Sequence, residues 1–197
     1  MMKNFKKFTA LLLALCMVFS LSISAFAVED HEHTVYESAP DEEIAVQSVS
    51  GEAATSGTIP GSSIKWSLDS KGWLTISGSG AMNDYEYGDY PWMDYRDSIQ
   101  TIVIGDQITQ IGRYAFTGTA CSTIKFGKNV RSIGERAFLE CRNLNGDLTL
   151  PDSVQTIGAG AFQGCEKLSG DLTIPDSVVE IGEGAFRDCK NLNGTLT

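Results

Sequence analysis

The sequence predicts an α/β solenoid with short parallel strands, few helices and an N-terminal β-hairpin cap. The main observation is a block, Ile-Gly-x-x-Ala-Phe, that recurs four times and ends at Phe116, Phe138, Phe162 and Phe186. Successive blocks are 22, 24 and 24 residues apart. Apolar residues at a fixed period in the low twenties indicate coils that stack, because one coil cannot bury its apolar face alone.

Each repeat also carries an alternating triplet that predicts a short strand. Leu148-Thr149-Leu150 and Leu172-Thr173-Ile174 place aliphatic residues on one side and threonine on the other. Pro151 and Pro175 follow these triplets and should end the strands, since proline cannot donate to the ladder. The glycines of the block, such as Gly158, suggest either a tight bend or a positive φ.

Three cysteines, Cys141, Cys165 and Cys189, occupy the position three residues after the block phenylalanine. We expect a column of buried thiols that act as small apolar groups. A disulfide stays open as an alternative in an exported chain, whereas a metal site is disfavoured because no Cys-x-x-Cys pair exists. Cys121 departs from this spacing and falls in a shorter coil.

The segment 58–100 predicts an N-terminal cap. Ile64, Trp66 and Leu68 alternate with polar residues, and the turn 69–72 leads into a second apolar alternation at 73–76, which is typical of a β-hairpin. An aromatic and acidic loop follows. Residues 92–99 could form one or two helical turns, and the repeats then occupy residues 101–197.

The N-terminus predicts export. Residues 1–27 combine a basic start, an apolar run and Ala25-Phe26-Ala27, which together resemble a secretory signal peptide with its cleavage site. Residues 28–57 are polar and acidic without sustained periodicity, and they predict a disordered linker. The expected location is therefore secreted or extracellular, with cell-surface attachment as an option.

Charge and residue content limit the functions that can be expected. The formal charge is −10, and removal of residues 1–27 with their three lysines makes it −13, which disfavours nucleic acid and anionic lipid as partners. No later segment is apolar enough for membrane insertion after cleavage. His31 and His33 are the chain's two histidines and lie in the linker, so the repeats offer no histidine base for nucleophilic catalysis. We expect no enzyme activity, no cofactor and no metal site.

The repeats resemble the BspA-like, or Treponema-type, leucine-rich repeats. Residues 172–192 match every element of the pattern Ile-x-Ile-Pro-x-x-Val-x-x-Ile-Gly-x-x-Ala-Phe-x-x-Cys-x-x-Leu, with leucine in place of the first isoleucine. The resemblance implies bacterial cell-surface or secreted proteins that act in adhesion, without catalytic residues in the repeat. Two coils are one residue longer than that pattern, and the sequence stops at Thr197 within an expected strand, which suggests a fragment or self-association through an uncapped last coil.

Two surfaces are candidates for binding. The first is the concave strand face, whose outward residues should be threonines and a lysine flanked by two aspartates: Lys125, Thr149, Thr173, Thr197, Asp147 and Asp171. The second is the aromatic and acidic loop with Tyr85, Tyr87, Tyr90 and Trp92. Each has a simpler interpretation: the threonines suit any strand, and the aromatics could cover the first coil.

These observations favour a protein that binds extracellular proteins or glycans of a host or of other microbes. The alternative is a non-catalytic targeting or carbohydrate-binding segment of a larger secreted enzyme. A carbohydrate-active site among the carboxylates of residues 84–97 is a third hypothesis, because paired acids and stacked aromatics characterise glycoside chemistry.

Overall fold

A computed structural model describes residues 53–193 of the chain. These residues form twelve strands that fall into three sheets. The first sheet contains, in spatial order, β1 (Ala53–Thr58), β2 (Lys65–Asp69), β3 (Trp73–Ser77), β5 (Thr101–Ile104) and β7 (Thr123–Lys125). The second contains β4 (Gly80–Ala81), β6 (Ile108–Ile111), β8 (Ser132–Ile133), β10 (Thr156–Ile157) and β12 (Glu180–Ile181), and the third contains β9 (Gly146–Thr149) and β11 (Leu168–Thr173).

Pairing is parallel wherever one coil meets the next, and it is antiparallel among β1, β2 and β3. The stacked coils with short parallel strands confirm the predicted solenoid, and β2 with β3 forms the predicted hairpin. One 3-10 helix, Met93–Ser98, lies within the 92–99 segment. No helix among residues 53–193 is long and apolar enough to cross a bilayer.

The folded part begins earlier than the sequence indicates. The linker predicted at 28–57 is too long at its C-terminal end, because residues 53–57 belong to β1, which pairs with β2. The strand is made of alanine, threonine, serine and glycine, so it has no apolar alternation to signal it. Its backbone hydrogen bonds to β2, at the edge of the first sheet, hold this segment in a strand. The signal peptide and the rest of the linker lie outside the described residues.

One column of aromatic rings runs through the coils. Phe116, Phe138, Phe162 and Phe186 stack with neighbouring centroids 5.2, 5.2 and 5.4 Å apart. Trp92 extends the column, with its ring 5.3 Å from that of Phe116. Trp92 stands 24 residues before Phe116, so the N-terminal cap occupies the place of a preceding coil.

The block glycines are required by close approach of the backbone rather than by a positive φ. A Cβ on Gly158 would lie 2.5 Å from the Glu135 nitrogen and 2.7 Å from the Gly134 carbonyl carbon. Gly158 is absent from the residues with positive φ, which corrects the alternative drawn from the sequence. Adjacent coils thus touch backbone to backbone at this corner.

Two other positions in each coil do adopt positive φ. The first lies two residues before the block phenylalanine, at Tyr114, Arg136, Gly160 and Gly184. The second lies two residues after it, at Gly118, Glu140, Gly164 and Asp188. Half of these positions carry a side chain, and a left-handed backbone costs such residues about 1–2 kcal/mol each.

Candidate binding surface

The outward residues of the first sheet are in register across three strands. Thr75 pairs with Val103, and Val103 pairs with Lys125. The Lys125 Nζ lies 4.6 Å from the centroid of the Trp73 ring, which is a cation–π distance. Lys125 is exposed, and Trp73 is half-buried beneath it. Trp73 was not among the candidate residues, because sequence alternation does not show which rings lie under a distant lysine.

Thr149 and Thr173 form a second outward pair in the third sheet. Within residues 53–193, β7 and β9 belong to different sheets, so the expected row from Lys125 to Thr173 is divided. The connection between block phenylalanine and strand also differs in length. Lys125 of β7 follows Phe116 by nine residues, whereas Thr149 of β9 follows Phe138 by eleven. Thr197 lies outside the described residues.

The candidate aspartates and threonines of the third and fourth coils meet in one shallow depression. Its lining includes Asp147, Thr149, Asp171 and Thr173 together with Asp152, and its volume is about 410 Å³. Asp147 is exposed, and its carboxylate lies directly against Gly170, where a Cβ would overlap it. The depression is acidic. No cluster of three or more metal-ligating side chains occurs in the part of the chain that the structure describes.

Burial removes two of the four candidate aromatics from the second surface. Trp92 has no exposed surface and Tyr90 is 4% exposed. The Trp92 Nε1 donates to the Ala115 carbonyl at 2.9 Å, and the Tyr90 hydroxyl donates to the Thr117 carbonyl at 2.6 Å. Both side chains therefore cover the first coil and cannot reach a partner.

The two remaining aromatics differ from each other. Tyr85 is half-buried, and its hydroxyl has no hydrogen-bond partner among the described residues. Burial raises the pKa of Tyr85 to about 12. Tyr87 is 65% exposed and packs edge-to-face on Tyr114, with centroids 6.0 Å apart. Of the four, Tyr87 is the one that offers most of its ring to a partner.

Two acids of the same loop bind the first coil. The Arg113 backbone nitrogen donates to the Asp84 carboxylate at 2.8 Å, and its guanidinium donates to Glu86 at 2.7 Å. These carboxylates are thus engaged in attaching the cap to the repeats. This geometry favours the simpler interpretation of the loop over a glycoside-hydrolysing pair.

The cysteines are buried thiols that repeat one hydrogen bond. Cys141, Cys165 and Cys189 donate from Sγ to the phenylalanine carbonyl of the preceding coil at 3.2, 3.3 and 3.1 Å. The Thr119 hydroxyl, in the cysteine position of the first coil, lies 3.4 Å from both the Cys121 and Cys141 sulfurs. Burial raises the pKa of the Cys141 thiol well above its ordinary value. The thiol column therefore fills the core and satisfies backbone carbonyls.

Stacked coils, two short parallel strands per coil and a column of block phenylalanines define a leucine-rich-repeat protein. The family model described as BspA type leucine rich repeat region (6 copies) matches residues 93–195, more than half of the chain. The chain belongs to this family.

Two solved structures share the fold. A leucine-rich repeat protein from Eubacterium ventriosum has a TM-score of 0.57 at 24% identity, over 73% of this chain and 44% of that one. One from Bacteroides ovatus has a TM-score of 0.50 at 23% identity, over 68% and 39%. The T. pallidum leucine rich repeat protein is 28% identical with a TM-score of 0.49, over 69% of each chain. The chain thus spans less than half of the first of these proteins, and a comparison with curated proteins found no match.

Proposed function

We propose that this chain is a non-catalytic binding module that acts outside the cell and attaches to proteins of a host or of other microbes. Two observations support export and binding: the signal-peptide pattern of residues 1–27 and the BspA type repeats of residues 93–195. Repeat solenoids present extended surfaces that suit large partners better than small molecules.

The depression between β9 and β11 carries the proposal. It brings Asp147, Thr149, Asp171 and Thr173 together on the outward side of two adjacent coils. Carboxylates beside hydroxyls recognise lysine or arginine side chains through charge-assisted hydrogen bonds. The proposed partner is therefore a protein with a basic, hydrogen-bonding patch.

The test is binding of the purified chain to immobilised collagen, laminin and mucin, measured by surface plasmon resonance. Asp147→Lys reverses one charge in the depression and should weaken the binding by about tenfold or more, because it places like charge against the basic patch. Asp147 is exposed but its carboxylate lies against Gly170, so a melting curve of the variant should accompany the binding measurement to show that the fold is retained.

Asp94→Lys is the matched control, since it makes the same charge change at an exposed position of the 3-10 helix. It should leave the affinity within about twofold of the original, apart from a general effect of net charge. An equal loss of affinity in both variants would contradict the proposal. So would a chain that binds neither collagen, laminin nor mucin.

A carbohydrate-binding segment of a larger secreted enzyme is less well supported. That alternative drew on the aromatics of the N-terminal loop, and Tyr90 and Trp92 are buried there. Mucin in the same panel tests it, because glycan recognition would produce mucin binding that Asp147→Lys does not affect.

A further inference from the structure

Four side chains form an exposed cluster where the N-terminal cap meets the first two coils. The Tyr87 ring packs edge-to-face on the Tyr114 ring. The guanidinium carbons of Arg113 and Arg136 lie 5.6 and 5.7 Å from the centroid of the Tyr114 ring. The Arg136 Nη1 also donates to the Tyr114 hydroxyl at 2.7 Å. We call Tyr87, Arg113, Tyr114 and Arg136 the tyrosine–arginine cluster.

The backbone of this cluster carries strain that the repeat does not require. Tyr114 and Arg136 have φ values of 55° and 52°, in the left-handed region. Glycine occupies the equivalent positions of the third and fourth coils, at Gly160 and Gly184. A left-handed backbone is unusual for a bulky side chain such as tyrosine. Because glycine serves the coil without strain, the two side chains require another explanation, and strained positions of this kind are concentrated at ligand-binding sites.

Two ion pairs hold the cluster in one arrangement. Arg113 donates to Glu86 at 2.7 Å, and Arg136 donates to Glu135 at 2.7 Å. The cluster is still accessible, since the side chains of Arg113 and Arg136 are 37% and 43% exposed and Tyr87 is 65% exposed. A surface that is already ordered loses little conformational entropy when it binds a ligand.

A shallow groove continues the cluster along the solenoid. Arg136 lines both, and the groove includes Gly160 and Gly184, which stand where the first two coils carry Tyr114 and Arg136. Its volume is about 380 Å³. The ridge of side chains therefore gives way to a glycine-lined depression in the next two coils. The other lining residues are Ala159, Gln163, Glu183 and Arg187.

The charge of the cluster favours an uncharged ligand. Glu86 and Glu135 offset the two arginines with which they pair, so this surface is formally neutral, whereas the whole chain carries −10. An anionic ligand would be repelled by so acidic a chain, and a basic partner would be drawn to its acidic faces instead.

The side chains of the groove favour a ligand rich in hydroxyl groups. Ala159 is the single aliphatic side chain in its lining, whereas protein–protein interfaces have an apolar core that is poor in charge. Guanidinium, carboxylate and amide groups all form hydrogen bonds with hydroxyls. An exposed tyrosine ring adds an aromatic face against which the C–H groups of a sugar can pack.

We propose that the tyrosine–arginine cluster and the groove beside it bind an uncharged oligosaccharide. Tyr87 packs on one sugar ring, and Arg136 and Gln163 donate hydrogen bonds to the hydroxyls of the sugars that follow along the groove. This site goes beyond the proposed function, because it shares no lining residue with the acidic depression between β9 and β11. It gives the chain a second class of ligand.

Isothermal titration calorimetry tests the proposal on the purified chain without its predicted signal peptide. The probes are neutral hexasaccharides of glucose, of mannose and of N-acetyllactosamine, with a heparin hexasaccharide as the charged probe. At least one neutral probe should bind with a Kd of about 1 mM or lower. Tyr87→Ala should weaken that binding by about tenfold or more, because it removes the aromatic face. A chain that binds no neutral probe, or that binds heparin more tightly, overturns the proposal.

Tyr114→Gly separates a binding role from a structural one. It installs the residue of the third and fourth coils and removes the left-handed strain, so the melting temperature should not fall. The affinity for the neutral probe should fall by about tenfold or more, because Tyr87 and Arg136 lose the ring that positions them. A variant that melts at a lower temperature, or that keeps its affinity, shows that the Tyr114 side chain serves the fold and overturns the proposal.

Tyr95→Ala is the matched control, since Tyr95 is another exposed tyrosine of the cap and packs on Trp66 instead of on the cluster. It should leave the Kd for the neutral probe unchanged, and a loss equal to that of Tyr87→Ala would contradict the proposed site. Asp147→Lys should also leave this Kd unchanged. The two proposals therefore fail separately: the acidic depression is tested by protein binding and the groove by free hexasaccharides.

Discussion

The rings of Phe138 and Phe162 stack with their centroids 5.2 Å apart and their planes 6° from parallel. This separation is close to the distance of about 4.8 Å between paired strands. The repeat of 24 residues therefore returns the chain to the same point one strand spacing further along. Backbone pairing and ring stacking have one period, and each supports the other.

The column of phenylalanine rings predicts that the loss of stability on truncation depends on how deeply each ring is buried. Phe162→Ala should lower the free energy of unfolding by about 3–5 kcal/mol, because it removes a fully buried ring and leaves a cavity between two others. Phe186→Ala should cost clearly less, since that ring is partly exposed. Urea denaturation measures both, and equal losses would contradict the difference in burial.

The block glycine predicts a steric effect. Gly158→Ala should cost about 2–3 kcal/mol, because the new Cβ would meet the backbone of the preceding coil at Glu135. Gly118→Ala provides the comparison: no atom lies within 4 Å of its Cβ, and its φ of 67° leaves only left-handed strain of about 1 kcal/mol. Thermal melts should therefore show Gly158→Ala as the less stable variant. If Gly118→Ala melts at the lower temperature, left-handed strain costs more than the steric contact and the prediction is wrong.

Replacing a residue that has a positive φ with glycine should raise the stability of the fold. Glu140 has a φ of 57°, whereas the equivalent residue of the next coil is Gly164. Glu140→Gly should stabilise the fold by up to about 1 kcal/mol, offset in part by loss of the exposed contact with Arg142 at 3.5 Å. Glu183→Gly, where φ is not positive, should give no gain. The urea midpoints of the two variants make the comparison.

The thiol column predicts slow chemistry in the folded state. Cys121 and Cys141 are fully buried, and their pKa values are raised, by a hydrogen bond to the neighbouring thiol in Cys121 and by burial in Cys141. DTNB at pH 8 should therefore reach Cys121 and Cys141 within minutes only after unfolding in guanidinium chloride, without added reductant. Cys189 is 8% exposed and a hydrogen bond with Cys165 lowers its pKa, so it should be the first thiol to react in the folded chain. Four thiols should appear after unfolding per chain from which residues 1–27 have been removed. Rapid reaction of more than one thiol in the native protein, or fewer than four thiols after unfolding, would contradict the structure.

Stability should fall at alkaline pH. Burial raises the pKa of the Cys141 thiol, and it raises the pKa values of Tyr85 and Tyr90 to about 12. The unfolded chain releases these protons from about pH 8.5 for cysteine and about pH 10 for tyrosine. The folded state then holds more protons, so the stability present below pH 8 declines above that value and more steeply above pH 10. Tyr90→Phe should flatten the decline of the urea midpoint between pH 10 and pH 12.

Sequence patterns were sufficient where one residue type recurs at one period. The phenylalanine, cysteine and block-glycine positions could be recognised because every coil imposes the same contact on them. The sequence patterns failed where a contact occurs at one place in the molecule and is not repeated in every coil. Trp92 was a candidate for binding because exposed aromatics bind partners, yet it occupies the phenylalanine column, and the sign of this was its 24-residue distance from Phe116.

The sequence by itself determined the repeat, its period and the family, because stacked coils share one apolar interior and therefore repeat their residues. The tertiary structure decided which surfaces are available. It buried Tyr90 and Trp92, and it separated Lys125 from Thr149. The exposure of a side chain depends on which other segments pack against its coil. The residue pattern of that coil alone does not show those segments.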